Sequence, residues 1–187
     1  TLDYFCHDSK SVSTTFGSST LATIVVASPD VDIAQGNIAN GAYHTAAILS
    51  DGSVKAWGNN DSGQLGQGNT NNIGDGASEM GDNLSVVDLG TGRTAVRIAS
   101  GMSHTAVILD DGSLKAWGSN TYGQLGQGNT TTLGDGAGEM GDNLSAVDLG
   151  TGRTAIAIAA GDNHTAVILD DGNVKVWGQN AYGQLGQ

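Results

Sequence analysis

The chain has 187 residues, 38% of them hydrophobic, which suffices for one domain with its own core or for a portion of a larger one. Its 19 acidic residues outnumber 7 basic ones and give a formal net charge of -12, so duplex DNA and anionic membrane surfaces would repel it. No apolar run approaches the roughly 20 residues that span a bilayer. We therefore expect neither a nucleic-acid partner nor membrane insertion.

The composition favours turns and strands over helices. There are 30 glycines and one proline, and Glu79 and Glu139 are the only glutamates among the acids. Runs of β-branched residues bounded by Asp-Gly or by glycine clusters recur throughout, while apolar residues at helical spacing with capping signals do not. The pattern predicts an all-β chain.

The N-terminal segment, residues 1–40, does not align cleanly with the rest of the chain. The run 19–28 is rich in β-branched residues and predicts one strand, and 31–41 resembles the tail of a degenerate repeat. We interpret the segment as a degenerate repeat or as a strand-exchange arm that completes a neighbouring sheet. Cys6, the single cysteine, excludes an internal disulfide framework.

From residue 41 the chain repeats itself every 60 residues. Residues 41–100 and 101–160 agree at 44 of 60 positions, and a third copy, 161–187, is partial. Because the chain lacks an initiator methionine and stops within a repeat, we expect a processed or trimmed piece of something longer. The alignment brings three histidines and three tryptophans into register: His44, His104, His164, Trp57, Trp117 and Trp177.

Within one copy the sequence predicts four short antiparallel strands. An Asp-Gly pair between two apolar runs is a strong hairpin signal, and Asp111-Gly112 stands between the first two predicted strands. The loop 118–128 comes next. Four strands per unit is the number expected of a propeller blade. The predicted strands are 104–109, 114–117, 144–149 and 154–160.

The segment 101–128 carries His-Thr, Asp-Gly, Trp-Gly and Gly-Gln-Leu-Gly at fixed spacing, and its sister copies carry them too. This combination resembles the regulator-of-chromosome-condensation repeat, and the match covers about 41–187. In that family the repeats form a seven-bladed β-propeller, so the resemblance implies an incomplete propeller here, completed by other blades or other subunits. The stretch 129–143, with its twin 69–83, is longer than the family's usual connection and lacks its proline.

The histidines in register do not predict a metal site, since blade geometry places them in different blades and zinc requires ligands within about 2 Å of one atom. We expect each to be buried and hydrogen-bonded to backbone, and each tryptophan to pack between blades. A photosensory branch of the family has an extra tryptophan just before the His-Thr pair. This chain has Tyr43, Ser103 and Asn163 there.

Two acidic, glycine-rich loops, 74–83 and 134–143, are nearly identical. Their carboxylates are oxygen ligands of the kind that Ca²⁺ takes, but the spacing matches neither an EF-hand nor a glycine-rich nonapeptide repeat. The favoured interpretation is a solvated loop, with calcium as the alternative and no other cofactor. The carboxylates concerned are Asp75, Glu79, Asp82, Asp135, Glu139 and Asp142.

Catalytic motifs are missing from the sequence. There is no Gly-x-Ser-x-Gly elbow, no cysteine with a partnered base and no Walker phosphate loop. The acid pairs Asp110-Asp111 and Asp170-Asp171 stand in register at predicted hairpins, which is typical of turns. We predict no catalytic residue and no enzyme.

Asparagine acceptors for N-glycosylation favour an extracellular or cell-surface glycoprotein over a cytoplasmic protein. They are Asn60, Asn83, Asn129 and Asn143, with Asn163 too near the predicted core.

We predict an interaction or structural module that contacts other protein chains, including copies of itself, through open blade edges in a secreted, filamentous assembly. The alternatives are a regulatory propeller that binds a small GTPase and a propeller that inhibits an enzyme.

Overall fold

The computed structural model describes residues 37–186, which form three successive antiparallel sheets of three strands each. We call them the first, second and third sheet. In each sheet the middle strand pairs with the strand before it and the strand after it. The strands are β1 Ile38–Asn40, β2 His44–Ile48, β3 Val54–Gly58, β4 Ala95–Ser100, β5 His104–Leu109, β6 Leu114–Gly118, β7 Ala155–Ala160, β8 His164–Leu169 and β9 Val174–Gly178.

Two short 3-10 turns, Gly81–Asn83 and Gly141–Asn143, complete the regular elements of this part. No helix among the described residues has the length and apolar character needed to cross a membrane. The predicted strand at 19–28 lies outside the described residues, as does Cys6.

The Asp-Gly hairpins form as predicted. Between β5 and β6, the Leu109 amide donates to the Ser113 carbonyl at 2.8 Å, and the Gly112 amide donates back to the Leu109 carbonyl at 2.9 Å. Gly112 has φ +77°, a left-handed conformation that glycine adopts without a steric penalty. Asp111 accepts hydrogen bonds from the backbone and the hydroxyl of Ser113. The sequence therefore specifies both the turn and the register of the strands it joins.

Each sheet combines the end of one 60-residue copy with the beginning of the next. β4, which ends the first copy, pairs with β5, which begins the second, so that Ile98 lies opposite Val107 and Ser100 opposite Thr105. β7 and β8 pair in the same way across the next boundary. The segment Ile38–Asn40 occupies the corresponding place in the first sheet. Adjacent copies are thus joined by main-chain hydrogen bonds.

The predicted fourth strand, 144–149, is wrong as a sheet strand. Leu144, Val147 and Leu149 are buried, yet the segment lies outside the nine strands. The Val147 amide donates to the Leu114 carbonyl at 2.8 Å, but no ladder of such bonds continues from it within the described residues. Alternating apolar residues indicate which side chains are buried, and an extended segment can bury them without pairing. The sheets consequently have three strands instead of four.

Apolar side chains fill two layers between successive sheets. The first layer includes Val54 of the first sheet together with Val107 and Trp117 of the second. The second layer includes Leu114 of the second sheet together with Val167 of the third. Every residue of β5 and β6 is therefore buried, because the second sheet is covered on both faces. Among the described sheets, the first and the third each contact the second sheet through one face.

Candidate interaction surfaces

A buried chain of hydrogen bonds, which we call the His-Thr-Gln relay, joins the first sheet to the second. His44 Nε2 lies 2.9 Å from Thr105 Oγ1, and that hydroxyl donates to the Gln64 carbonyl at 2.9 Å. The same carbonyl accepts from Trp117 Nε1 at 3.1 Å. All four residues are buried. The relay therefore fixes the loop after the first sheet against two residues of the second.

The relay recurs one copy later. His104 Nε2 lies 3.0 Å from Thr165 Oγ1, which donates to the Gln124 carbonyl at 2.8 Å. Trp177 Nε1 donates to that carbonyl at 3.0 Å. The fixed spacing of the His-Thr, Trp-Gly and Gly-Gln-Leu-Gly motifs in the sequence thus has a structural reason. Residues of these motifs bond to one another across the boundary between two sheets.

The expected bond from each histidine to backbone is therefore wrong for His44 and His104. Their partner is a threonine hydroxyl of the next sheet, 61 residues away. The three histidines lie in three different sheets, as expected. Within residues 37–186, no three His, Cys, Asp or Glu side chains lie close enough together to hold a metal ion.

The surroundings of the relay favour neutral imidazoles that carry their proton on Nε2. Because Thr105 Oγ1 gives its proton to the Gln64 carbonyl, it accepts one from His44 Nε2. His44 Nδ1 and His104 Nδ1 are buried without a partner, so a proton there would be an unsatisfied charged donor. Burial lowers the pKa of His44 to about 4, and burial together with the neighbouring histidines lowers that of His104 to about 4.

The glycine three residues before each of these histidines is required by close approach. A side chain on Gly101 would overlap the imidazole of His104 and would lie 2.5 Å from the Gly161 carbonyl oxygen. Gly41 stands in the same relation to His44 and to the Gly101 carbonyl. The Gly-x-x-His motif thus allows the turns of successive sheets to stack.

The carboxylates of the acidic loops mostly bind the protein itself. Glu79 accepts hydrogen bonds from the Gly74 and Gly76 amides, both at 2.8 Å, and Glu139 accepts the two equivalent bonds. These bonds lower the pKa of Glu79. The loop conformation is therefore held from within.

The structure separates the members of the second acidic group. Burial, and then the neighbouring Glu139 carboxyl, raise the pKa of Asp135. Asp142 instead accepts bonds from the Thr91 hydroxyl at 2.6 Å and the Thr91 amide at 2.8 Å, and these lower its pKa. In the first group Asp75 and Asp82 are exposed, as is the loop around them.

The loop 134–143 docks onto the preceding copy. The Gly141 amide donates to the Asp88 carbonyl at 3.1 Å, and Lys115 Nζ donates to the Leu89 carbonyl at 2.9 Å, both in the preceding copy. Lys115 Nζ also donates to the Gly141 carbonyl of its own copy at 2.8 Å, as Lys55 does to Gly81. Met140 is 9% exposed, whereas Met80 in the twin loop 74–83, which has no preceding copy among residues 37–186, is 42% exposed. Lys115 was not among the residues predicted from the sequence. A lysine nevertheless recurs every 60 residues, at Lys55, Lys115 and Lys175, as the tryptophans do.

The outward faces of the first and third sheets leave apolar side chains exposed. In the third sheet Ile168 is 41% exposed and Val174 61%, while the equivalent Ile108 and Leu114 of the second sheet are 1% and 0% exposed. At the other end, in the first sheet, Ile38 is 63% exposed. We call these the two end faces. Each corresponds to a face that a neighbouring sheet covers inside the array.

Of the predicted glycosylation acceptors, Asn60 is corrected by the structure. It is fully buried, its side-chain oxygen accepts from the Leu65 amide, and its side-chain nitrogen donates to the Asn69 carbonyl. A glycan on Nδ2 would displace the bond to Asn69 and has no room at a fully buried side chain, so the folded chain does not present this residue. Three other acceptors are exposed: Asn83, Asn129 and Asn143.

Comparison with known proteins identifies the repeat. A family described as the regulator of chromosome condensation (RCC1) repeat matches residues 37–64, 95–124 and 155–184. A second description of that repeat matches residues 111–168. Together the matches cover more than half of the chain and include the strands that form the relay.

Relatives among characterised proteins share this part. The chain is 36% identical over 149 residues to the X-linked retinitis pigmentosa GTPase regulator homolog of Caenorhabditis elegans, covering 80% of this chain and 10% of the relative. It is 32% identical over 151 residues to the ultraviolet-B receptor UVR8 of Arabidopsis thaliana, covering 80% and 30%. The chain thus spans less than a third of the length of either relative.

Solved structures show the same fold. The human WBSCR16 structure matches with a TM-score of 0.58 at 22% identity, over 80% of this chain and 35% of that one. Yeast RCC1 (Prp20), solved bound to Kap60, matches with a TM-score of 0.58 at 22% identity, over 80% and 33%. The three sheets are accordingly propeller blades, and the described array is part of a propeller.

Proposed function

Since the chain belongs to the regulator of chromosome condensation repeat family, we propose that it is a non-enzymatic protein-interaction module whose end faces bind other protein chains, including copies of itself. The observation that carries this proposal is the exposure of Ile168 and Val174 at positions that the second sheet buries completely. Exposed apolar faces of this kind mark protein contact sites.

The two end faces are complementary because they repeat the two kinds of face that pack together between adjacent sheets. The outward face of the third sheet corresponds to the face of the second that the third covers, and the outward face of the first corresponds to the face of the second that the first covers. The third sheet of one molecule can therefore pack against the first sheet of another molecule in the way that adjacent sheets pack within one chain. Such a head-to-tail contact closes a ring or extends into a filament.

Substitution of Val174 by glutamate is expected to abolish this self-association. The substitution places a charge on the end face, where a packed neighbour would have to desolvate it. Analytical ultracentrifugation of the full chain should show concentration-dependent oligomers for the native sequence and a monomer for Val174→Glu.

The matched control is Val96→Glu. Val96 is also an exposed strand valine, 42% accessible, but it lies on β4 of the second sheet, away from the end faces. This variant should assemble like the native chain. A native chain that stays monomeric at high micromolar concentration contradicts binding of copies of itself.

We further propose that the assembly is secreted or displayed at a cell surface, is filamentous and carries N-linked glycans. The complementary end faces support the filament, and the exposed positions of Asn83, Asn129 and Asn143 support glycosylation. Intact mass and light scattering of the native material test both points. Polymers with mass above the 18.8 kDa polypeptide are expected, and a homogeneous unmodified species contradicts the glycosylated assembly.

A second candidate function is the binding of a small GTPase. The C. elegans relative, 36% identical over the matched part, is a GTPase regulator homolog. A pulldown with purified small GTPases in the nucleotide-free state discriminates this function from self-assembly, because the end-face variant Val174→Glu should then leave capture unchanged.

A further inference from the structure

The two ends of the strands differ in charge. At one end lie the turns between the first two strands of each sheet and the loops that follow the third strand. We call this surface the turn face; it comprises residues 41–43, 59–63, 101–103, 119–123, 161–163 and 179–183. At the other end lie the Asp-Gly hairpins and the segments before β4 and β7, residues 49–53, 90–94, 110–113, 150–154 and 170–173. Two of the 24 turn-face residues are charged, against seven of the 23 at the opposite end.

Main-chain hydrogen bonds join the segments of the turn face to one another. The Ser119 amide donates to the Ser103 carbonyl at 2.8 Å, which holds the turn of the second sheet against the loop that follows the same sheet. The Met102 amide donates to the Asp162 carbonyl at 2.9 Å, which holds that turn against the turn of the third sheet. The turn face is therefore one continuous surface across successive sheets.

Two large side chains are exposed on the turn face in the middle of the array. Met102 is 40% exposed and Tyr122 is 48% exposed. The second sheet, to which they belong, has a described sheet on either side, so their exposure does not depend on where the described array ends. Tyr43 and Tyr182 are also exposed on this face, at the two ends of the array.

The loop that carries Tyr122 is fixed by its own hydrogen bonds. The Tyr122 amide donates to Gln124 Oε1 at 2.9 Å, and the Gly123 amide donates to the Asn120 carbonyl at 2.9 Å. The Leu125 amide donates to Asn120 Oδ1 at 2.9 Å. Asn120 and Gln124 are buried, so the backbone is held while the tyrosine ring stays exposed. A partner that binds this ring loses little free energy in ordering the loop.

The composition of the turn face is that of a contact surface. The centres of protein interfaces are depleted of charged residues and enriched in tyrosine and methionine. Antibody paratopes likewise combine tyrosine with serine, glycine and asparagine. Segments 101–103 and 119–123 contain only glycine, methionine, serine, asparagine, threonine and tyrosine. Single exposed apolar residues are ordinary on protein surfaces, but their combination with so few charges is unusual in a chain of net charge -12.

The charges of the turn face indicate which partner it fits. Its two charged residues, Asp61 and Asp162, are exposed carboxylates, and the face has no lysine or arginine. The same face of a second copy would bring like charges together without a cation to pair with them. Nucleic-acid phosphates would be repelled for the same reason. Arginine or lysine side chains of a partner would instead pair with both carboxylates.

We propose that the turn face binds a protein whose contact surface has an apolar centre flanked by arginine or lysine. Met102 and Tyr122 contact the apolar centre, and Asp61 and Asp162 pair with the flanking cations. This surface is distinct from the end faces, so the inference adds a second kind of partner to the proposed interaction module.

Selection of displayed random 12-residue peptides on the full chain tests the inference. Peptides that bind the double variant Met102→Ser, Tyr122→Ser are removed first, so that only binders of the turn face remain. We expect enrichment of peptides in which arginine or lysine stands beside leucine, phenylalanine or tryptophan, and saturable binding of the most enriched peptide by calorimetry. Failure to enrich any peptide, or enrichment of acidic peptides, overturns the proposal.

Single variants measure the contacts of that peptide. Tyr122→Ser should weaken binding about tenfold or more. Asp162→Asn should weaken it about threefold and reduce its dependence on salt. The matched control is Val86→Ser, because Val86 is 53% exposed but pairs with Lys55 in the middle of β3, away from the turn face. Binding that Tyr122→Ser leaves unchanged, or that Val86→Ser weakens equally, contradicts the assigned surface.

Folding and self-association are controlled separately. Met102, Tyr122 and Asp162 are exposed, so their variants should melt like the native chain by circular dichroism. A chain that stays monomeric but binds the peptide retains this inference and loses self-association through the end faces. A chain that assembles but enriches no peptide retains the proposed self-association and loses this inference.

Discussion

Replacement of Thr105 by valine is expected to lower the free energy of unfolding by about 3 kcal/mol. The substitution keeps the branched shape but removes the hydroxyl that accepts from His44 and donates to the Gln64 carbonyl. Because these groups are buried, water cannot replace the lost bonds, and the His44 donor stays unsatisfied. Urea unfolding of the two chains, monitored by circular dichroism, measures the difference.

The chain contains its own control for this substitution. Thr45 is the equivalent residue of the first sheet, and its hydroxyl donates to the exposed Asn40 side chain at 3.1 Å. Thr45→Val should change the free energy of unfolding by about 0.5 kcal/mol or less. If Thr105→Val and Thr45→Val cost the same, the relay does not stabilise the contact between sheets.

Acidification from pH 7 to pH 5 is expected to reduce the free energy of unfolding by about 4 kcal/mol. In the unfolded chain a histidine takes up a proton near pH 6.5, whereas His44 and His104 in the folded chain do so only near pH 4. The unfolded state therefore binds more protons throughout this window, and stability falls as the pH falls. Each histidine contributes about 2 kcal/mol at pH 5.

The double variant His44→Gln, His104→Gln isolates this effect. It will be less stable at pH 7, but its stability should change much less between pH 7 and pH 5 in urea titrations. Hydrogen-bonded carboxyls such as Asp111 and Asp142 have lowered pKa values, so they lose their contribution only at more acidic pH. A native chain with equal stability at both pH values would show that the buried imidazoles do not remain neutral.

Local features of the fold could be predicted from the sequence, because local signals determine them. The Asp111-Gly112 pair requires a left-handed residue between two apolar runs, and this fixes the hairpin. The period of 60 residues correctly implied repeated sheets. The prediction of a sheet strand at 144–149 is wrong because spaced apolar residues indicate burial of side chains and do not by themselves require main-chain pairing.

Contacts across the boundary between sheets could not be predicted in this way. Thr105 and Gln64 are 41 residues apart, and only the stacking of sheets shows that the hydroxyl of one meets the carbonyl of the other. Asn60 has an acceptor sequence, but tertiary contacts bury it.

The pairing of β4 with β5 across the copy boundary has a consequence for how such an array can grow. A duplication of any window of 60 residues within 41–187, whatever its starting point, adds one whole sheet, one relay and one apolar layer. The new sheet meets its neighbours through surfaces that the array already contains. Lengthening or shortening of the protein by whole copies therefore needs no new interface, and the breakpoint can fall in an exposed loop as easily as within a strand.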